Sequence, residues 1–192
     1  MMKIIVGDIC YPKSNALIIP ANTTGTMLRG RAARVSKEGL GGIVKEAKEF
    51  TTINKLKPGD CFSTGPGRLN RRGLKKIYHA VIKRLQSDFT SIHIVREALN
   101  ASLKMAEADG MESVTICGLG IGMGELDPIT VARLTMEQID KFADKFEIKV
   151  IDDNQEFINE LKKVTKERNN DIAKQTSVGS KQNVDSNKSG IS

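Results

Sequence analysis

Glycine occupies every second position from Gly118 to Gly124, in the run Cys117-Gly118-Leu119-Gly120-Ile121-Gly122-Met123-Gly124-Glu125-Leu126-Asp127-Pro128. A backbone without Cβ atoms takes positive φ readily and lets a ligand approach closely. Successive N–H groups along such a run form a nest for an anion. No Lys-Ser/Thr follows, so the run is not a P-loop, and it lacks the setting of a dinucleotide-binding fingerprint, which belongs on a first βα unit.

A second segment, residues 20–33, offers different groups. Asn22 carries both a donor and an acceptor. Gly30, Arg31 and Ala32 open a predicted helix, whose first amides can cradle a phosphate. Arg29, Arg31 and Arg34 add positive charge. A third segment is Gly7-Asp8-Ile9, where the carboxylate can accept from a base amine or a sugar hydroxyl, or simply close a turn. Other reactive types read as structural. His79 sits inside an apolar strand, as a core histidine does, and His93 lies in the first turn of a helix, facing solvent. Cys10 and Cys117 flank the candidate segments with no base beside them, which argues against a thiol nucleophile. Glu125 and Asp127 are nearby carboxylates, although Asp127 before Pro128 fits a helix N-cap.

These segments need strands and helices to hold them. Short apolar runs predict strands at Lys3–Val6 and 16–19, both buried on two faces and closed by Gly7 and Pro20. Helices follow at 31–38 and 42–50, then strands at Cys61–Thr64 and Lys76–Lys83. Ser91 caps a helix reaching Asp109, with Ile92, Val95, Leu99, Leu103 and Ala106 as its apolar stripe and Gly110 beyond its end. A strand at 114–117, a helix from Asp127-Pro128 to Asp144, a strand at 148–151 and a helix at 154–164 complete the pattern. Alternating strands and helices predict an α/β/α sandwich of three layers around a mixed, largely parallel sheet. In such sheets ligands sit beyond the carboxyl ends of the strands, where all three segments fall. From Thr165 onward the chain is rich in Asn, Ser, Lys, Gln and Gly, so residues 1–164 read as one domain and 165–192 as a disordered polar tail.

Composition narrows the classes. A chain of 192 residues can bury a sizeable core, and 28% charged with 39% hydrophobic residues is ordinary for a soluble protein. No run approaches a membrane span or a secretory leader. The cysteine count of three, with no CxxC pair, argues against a disulfide scaffold or a zinc ribbon and for reduced thiols in the cytoplasm. No metal site or cofactor is expected. Aromatic residues make up only 4% of the chain, too few for a base-stacking platform.

Taken in order, Gly7-Asp8-Ile9, Pro20-Ala21-Asn22, the helix start at Gly30, the central section from Gly59-Asp60 to the Tyr78-His79-Ala80-Val81 strand, and Gly118–Gly124 resemble the macro domain over residues 2–160. The resemblance implies a cleft at the strand ends that binds ADP-ribose. It implies that Asp8, helped by the Ile9 backbone, holds the adenine amine and that Asn22 faces the distal ribose. Arg29, Gly30, Arg31 and Ala32 would wrap the pyrophosphate and distal ribose from one side, and Gly118, Leu119, Gly120, Ile121, Gly122, Met123 and Gly124 from the other. Asn22 is then the one candidate catalytic residue. The first loop diverges: Met27-Leu28-Arg29-Gly30-Arg31-Ala32 replaces the glycine run and Val-Asp-Gly of many hydrolytic members, so their catalytic aspartate is missing. Ile121 stands where a hydroxyl residue is frequent, and Ile151 and Asp152 stand where an aromatic is.

The implied activities are hydrolysis of ADP-ribosyl conjugates or of ADP-ribose 1″-phosphate. The alternatives are a reader of ADP-ribose without catalysis, or an RNA-binding module. The last draws on charge. Arg68, Arg71, Arg72, Lys75, Lys76, Lys83 and Arg84 lie between Cys61 and Ser87 with no acidic residue among them, so this segment alone accounts for the net +7. Weak RNA binding would run through Arg68, Arg71, Arg72, Lys75 and Lys76.

Overall fold

A computed structural model describes residues 2–85, 87–122 and 125–185. Six strands form one sheet: β1 (Lys3–Val6), β2 (Ala16–Asn22), β3 (Cys61–Thr64), β4 (Lys76–Lys83), β5 (Ser113–Ile116) and β6 (Glu147–Asp152). Their order is β1-β6-β5-β2-β4-β3. Every pairing is parallel except β3 with β4. The helices are α1 (Gly30–Gly39), α2 (Gly42–Ile53), α3 (Ile92–Ala108), α4 (Pro128–Asp140) and α5 (Gln155–Asp185). The expected mixed, largely parallel sheet is present.

Strand β4 shows how the layers arise. Its alternate side chains point to opposite faces. His79 and Val81 turn toward α2, where Phe62 stacks on His79 with centroids 4.4 Å apart and packs with Ala47. Tyr78 turns the other way and donates to Asp109, at the end of α3. Helices therefore cover both faces, with α3, α4 and α5 in one layer and α1 and α2 in the other.

Two strand expectations change. Lys3, Ile5 and Val6 of β1 are exposed, because β1 is an edge strand paired only with β6. A four-residue apolar run announces a strand but not its place in a sheet. Strand β2 does not stop at Pro20 but continues to Asn22 beside β4. The ladder to β5 has already ended at Ile18–Ile116, so one side is open there and a residue lacking N–H is tolerated.

The caps follow the sequence. Ser91 accepts from the Ile94 amide, and Asp127 accepts from the Thr130 amide. Phe157, Ile158 and Leu161 of α5 are fully buried. Where the sequence predicts a tail from Thr165, α5 continues to Asp185, and the boundary expected at residue 164 falls inside it. Thr165 still meets Met136 of α4, and Arg168 is ion-paired with Asp140. Extending a helix fixes one residue per added hydrogen bond, and no proline follows to stop this one. Among the described residues no helix is long and apolar enough to cross a membrane.

Candidate functional site

The ends of β2 and β4 open onto a cleft enclosing about 140 Å³ of solvent-accessible space. Its floor is Pro20, Ala21 and Asn22 of β2 with Ile82 and Lys83 of β4; Thr26, Arg29, Gly30, Arg31, Ala32, Gly120 and Gly122 line its walls. Of the residues expected at the site, the structure therefore gathers Asn22, the whole Arg29–Ala32 stretch, Gly120 and Gly122. Met123 and Gly124 lie outside the described residues.

One wall is the start of α1. Arg29 precedes it in extended conformation and provides no side-chain cap, and no acidic residue occupies the first turn. Gly30 has φ +61°, a conformation that favours glycine. The first amides of α1, which have no partner inside a helix, thus reach the cleft wall with the positive end of the helix dipole. Among the described residues three cations line the cleft (Arg29, Arg31 and Lys83) and no carboxylate does.

Asn22 is buried, and its amide organises the loop that follows. Its Oδ1 accepts from the Thr24 amide at 3.1 Å, the Thr24 hydroxyl at 2.8 Å and the Thr26 amide at 3.2 Å. Its Nδ2 donates to the Thr26 hydroxyl at 2.7 Å. Gly25 completes this turn with φ +65°, in a space so tight that a Cβ would lie 2.7 Å from the Ala47 carbonyl oxygen.

The glycine run divides into distinct roles. The Gly118 amide donates to Asp152 Oδ2 at 2.8 Å, so it is committed to that carboxylate. Leu119 and Ile121 turn their side chains into the core, and of the described residues of the run Gly120 and Gly122 reach the cleft. Gly120 has φ +85°.

Asp152 ends β6 and is completely buried. Arg31 grips it with Nε to Oδ2 at 2.8 Å and Nη2 to Oδ1 at 2.5 Å, a bidentate pair. The Asn154 amide adds a further bond to Oδ1 at 2.8 Å. One turn on, Arg34 pairs with Asp153 at 2.8 Å, so α1 is clasped to the end of β6 at two points.

Asp8 stands elsewhere. With Ile5, Gly7, Tyr11 and Ile151 it borders a separate hollow of about 460 Å³ over β1 and β6. It is exposed, and its Oδ1 accepts from the Cys10 amide at 2.9 Å, closing a turn. Ile9 is buried in the core, leaving only its backbone for a ligand.

The remaining reactive groups have structural work. Burial pushes the Cys10, Cys61 and Cys117 thiols up to about 12, so they are protonated at neutral pH. Burial pushes His79 down to about 3, and it bonds to Thr64 at 2.9 Å as a neutral core residue. Asp127 is held below the ordinary carboxylate range by the Thr130 hydroxyl and amide that it caps. In the basic segment, Arg72 donates to the Cys10 carbonyl at 2.7 Å, pairs with Glu38 at 3.1 Å and lies over the Tyr11 ring. Lys76 pairs with Asp109 at 2.7 Å. Neither is a spare cation for a polymer.

Sequence reasoning missed Thr26, Lys83 and Asp152. Lys83 was within reach, being the last residue of a predicted strand and so subject to the same strand-end rule as Asn22. Asp152 lies one residue beyond the predicted strand at 148–151. Nothing in the sequence marks Thr26.

The Macro domain family model matches residues 18–135. An uncharacterized protein of Aquifex aeolicus (strain VF5) is 30% identical over 165 residues, 85% of this chain and 96% of its own. In structure, the macrodomain of Mycobacterium tuberculosis DarG superposes with a TM-score of 0.71 at 18% identity, covering 79% of this chain and 97% of that one. The Trypanosoma brucei macrodomain, solved in complex with ADP-ribose, gives a TM-score of 0.71 at 14% identity over 85% of this chain and 68% of that one. With the strand order, the cleft at the strand ends and a family match across most of the sheet, the chain belongs to the macro domain family.

Proposed function

We propose that this macro domain binds ADP-ribose or a derivative, with the phosphorylated ribose end in the cleft of Asn22, Gly30 and Gly120 and the adenine end toward Asp8. One observation carries the reading: the uncapped start of α1 and the glycine loop converge on a cleft that, among the described residues, is lined by Arg29, Lys83 and the Asp152-paired Arg31 and by no carboxylate. Backbone amides and cations suit the pyrophosphate, and the Asn22 amide, bonded here to Thr24 and Thr26, would reach ribose hydroxyls by exchanging part of that network. The ligand in the T. brucei macrodomain supports the same class.

Recognition is favoured over hydrolysis. Among the described residues no carboxylate, imidazole or thiol lines the cleft, and the nearby carboxylates Asp152 and Asp127 are engaged with Arg31 and Thr130. Removal of ADP-ribose from a conjugate, or of phosphate from ADP-ribose 1″-phosphate, would rest on water oriented by Asn22 alone. Three free cysteines fit a reducing, cytoplasmic setting.

Calorimetric titration with ADP-ribose tests the reading. Saturable 1:1 heat is expected, and its absence at millimolar ligand overturns the proposal. Assays of an ADP-ribosylated protein and of ADP-ribose 1″-phosphate are expected to show no turnover above buffer. Turnover lost on Asn22→Ala would establish a hydrolase instead.

A further inference from the structure

The hollow over β1 and β6, about 460 Å³, carries different chemistry at its two ends. Asp8 stands at one, just beyond the carboxyl end of β1. Three lysines stand at the other. Lys3 opens β1, Lys149 lies beside it in register on β6, and the Lys13 carbonyl accepts from the Lys149 ammonium. At about 3.3 Å per residue, the strand advances about 13 Å over the four steps from Lys3 to Gly7. The surface between is apolar. Ile5 and Ile151 pair in register, with Tyr11 and Pro12 beside them. Gly7 leaves the two isoleucines uncovered, since a Cβ there would touch both at 3.7 Å.

Two features favour a ligand. Tyr11 is exposed, yet its ring is already held: the Arg72 guanidinium lies 3.9 Å from the ring centroid, and Arg72 is itself fixed by the Cys10 carbonyl and Glu38. Tyr11 borders the hollow and Arg72 does not, so the part of Tyr11 turned to the hollow is not the face that Arg72 covers. A planar group can pack there against a side chain that pays little to be ordered.

The second feature is Lys149. It is buried, and an ammonium carries three donors. The protein supplies two acceptors, the Lys13 carbonyl and Glu147 at 3.5 Å. Lys3 draws on the same Glu147 at 3.1 Å, and among the described residues Lys13 has no ion pair. Three cations thus share one carboxylate at this end, and an anion would complete them.

ADP-ribose alone does not bring that anion. With adenine at Asp8, its pyrophosphate runs to the Asn22 cleft, beyond the carboxyl ends of the strands. The lysines lie at the opposite, amino end of β1. A ligand that fills the hollow needs a further anion on its adenosine half, where the sugar hydroxyls are the groups to carry it.

We infer that the lysine end of this hollow is a phosphate subsite, and that the preferred ligands are ADP-ribose derivatives phosphorylated on the adenosine ribose, with the base over Ile5, Ile151 and Tyr11 and the added phosphate among Lys3, Lys13 and Lys149. This rests on the proposed binding of ADP-ribose with adenine toward Asp8, and names the substrate class of that same site.

The test is calorimetry on the full chain with ADP-ribose, its adenosine 2′- and 3′-phosphate esters, and adenosine 2′- and 3′-monophosphates. One of the two esters of ADP-ribose is expected to bind at least about tenfold more tightly than ADP-ribose. The double variant Lys3→Gln/Lys13→Asn removes two exposed charges, and asparagine accepts the positive φ of position 13. Thermal melts confirm that it folds. In it the ester is expected to fall within about threefold of ADP-ribose. No preference for either ester, or a preference that survives in the folded variant, overturns the inference while ADP-ribose binding stands. If ADP-ribose gives no heat, the monophosphates decide. Binding that the variant weakens upholds the subsite and overturns the ADP-ribose reading, and absence of binding overturns both.

Discussion

The ends of β2 and β1 carry the two residues assigned to opposite ends of the same ligand, yet they are built differently. Strand β2 lies inside the sheet, its residues Ala16, Leu17, Ile18 and Ile19 are fully buried, and Asn22 is enclosed by bonds to Thr24 and Thr26. Strand β1 is an edge, and Asp8 is exposed on a short turn. A residue at the end of a central strand is fixed by the core around it, so changing it alters both fold and site. A residue at the end of an edge strand can change its chemistry with little effect on stability. The Arg31–Asp152 pair joins the two regions.

That contrast can be broken by substitution. Arg31→Ala orphans a buried carboxylate, and we expect a loss of about 3–5 kcal/mol in urea unfolding. A loss below about 1 kcal/mol would mean that the pair is not the tie between the halves. Next in size is Asn22→Ala, which leaves the Thr24 and Thr26 amides without their acceptor; about 1–3 kcal/mol of stability is expected to go, together with ADP-ribose affinity.

The interior side of the comparison also has a pH signature. Burial pushes His79 down to about 3 from an ordinary 6.5, so the unfolded chain binds a proton that the folded one refuses. Stability is therefore full above about pH 6.5 and declines as pH falls through the window between 6.5 and 3. Between about pH 7 and pH 5, above the titration range of ordinary carboxylates, a drop of about 1–2 kcal/mol in denaturant unfolding is expected. The substitution His79→Gln should abolish that slope, and persistence of the slope would assign it elsewhere.

At the edge the expected effects are smaller. Asp8→Ala is expected to change stability by less than about 1 kcal/mol, since Asp8 is exposed and its side chain closes a single turn bond to the Cys10 amide. It should weaken ADP-ribose binding. Unchanged ADP-ribose affinity would place Asp8 outside the adenine contact. A pair of glycines sharpens the same contrast on a finer scale. Gly25 and Gly30 both have positive φ, but only at Gly25 does a Cβ meet backbone, so Gly25→Ala should cost more than Gly30→Ala in the same unfolding series.

Legibility followed the range of the interactions. Ser91, Asp127-Pro128 and Gly110 were readable because a cap or a left-handed residue acts within one turn of chain. The apolar runs of β2, β4, β5 and β6 were readable because two-sided burial demands continuous hydrophobicity. The same rule misplaced β1, since Lys3–Val6 is apolar without being central. At the site, Asn22, Gly30 and Gly120 were legible as strand-end or glycine signals. The use of the Gly118 amide was not, because its acceptor lies 34 residues away on β6. Thr165 onward gave no apolar stripe, and the helix there continues from a nucleus formed earlier in the chain.

The residue pattern by itself determined the α/β alternation, the largely parallel sheet, the caps, and a run of glycine and helix-start amides at the strand ends. These depend on propensity, periodicity and the freedom of glycine, all local properties. Tertiary structure alone decided that the Gly118 amide is taken by Asp152, where Asp8 stands relative to Asn22, and that Arg31 closes on Asp152. The pair joins positions 121 residues apart, which only strand order brings together. The charge that in sequence belongs to an arginine-rich loop is, once folded, fixed on a buried carboxylate.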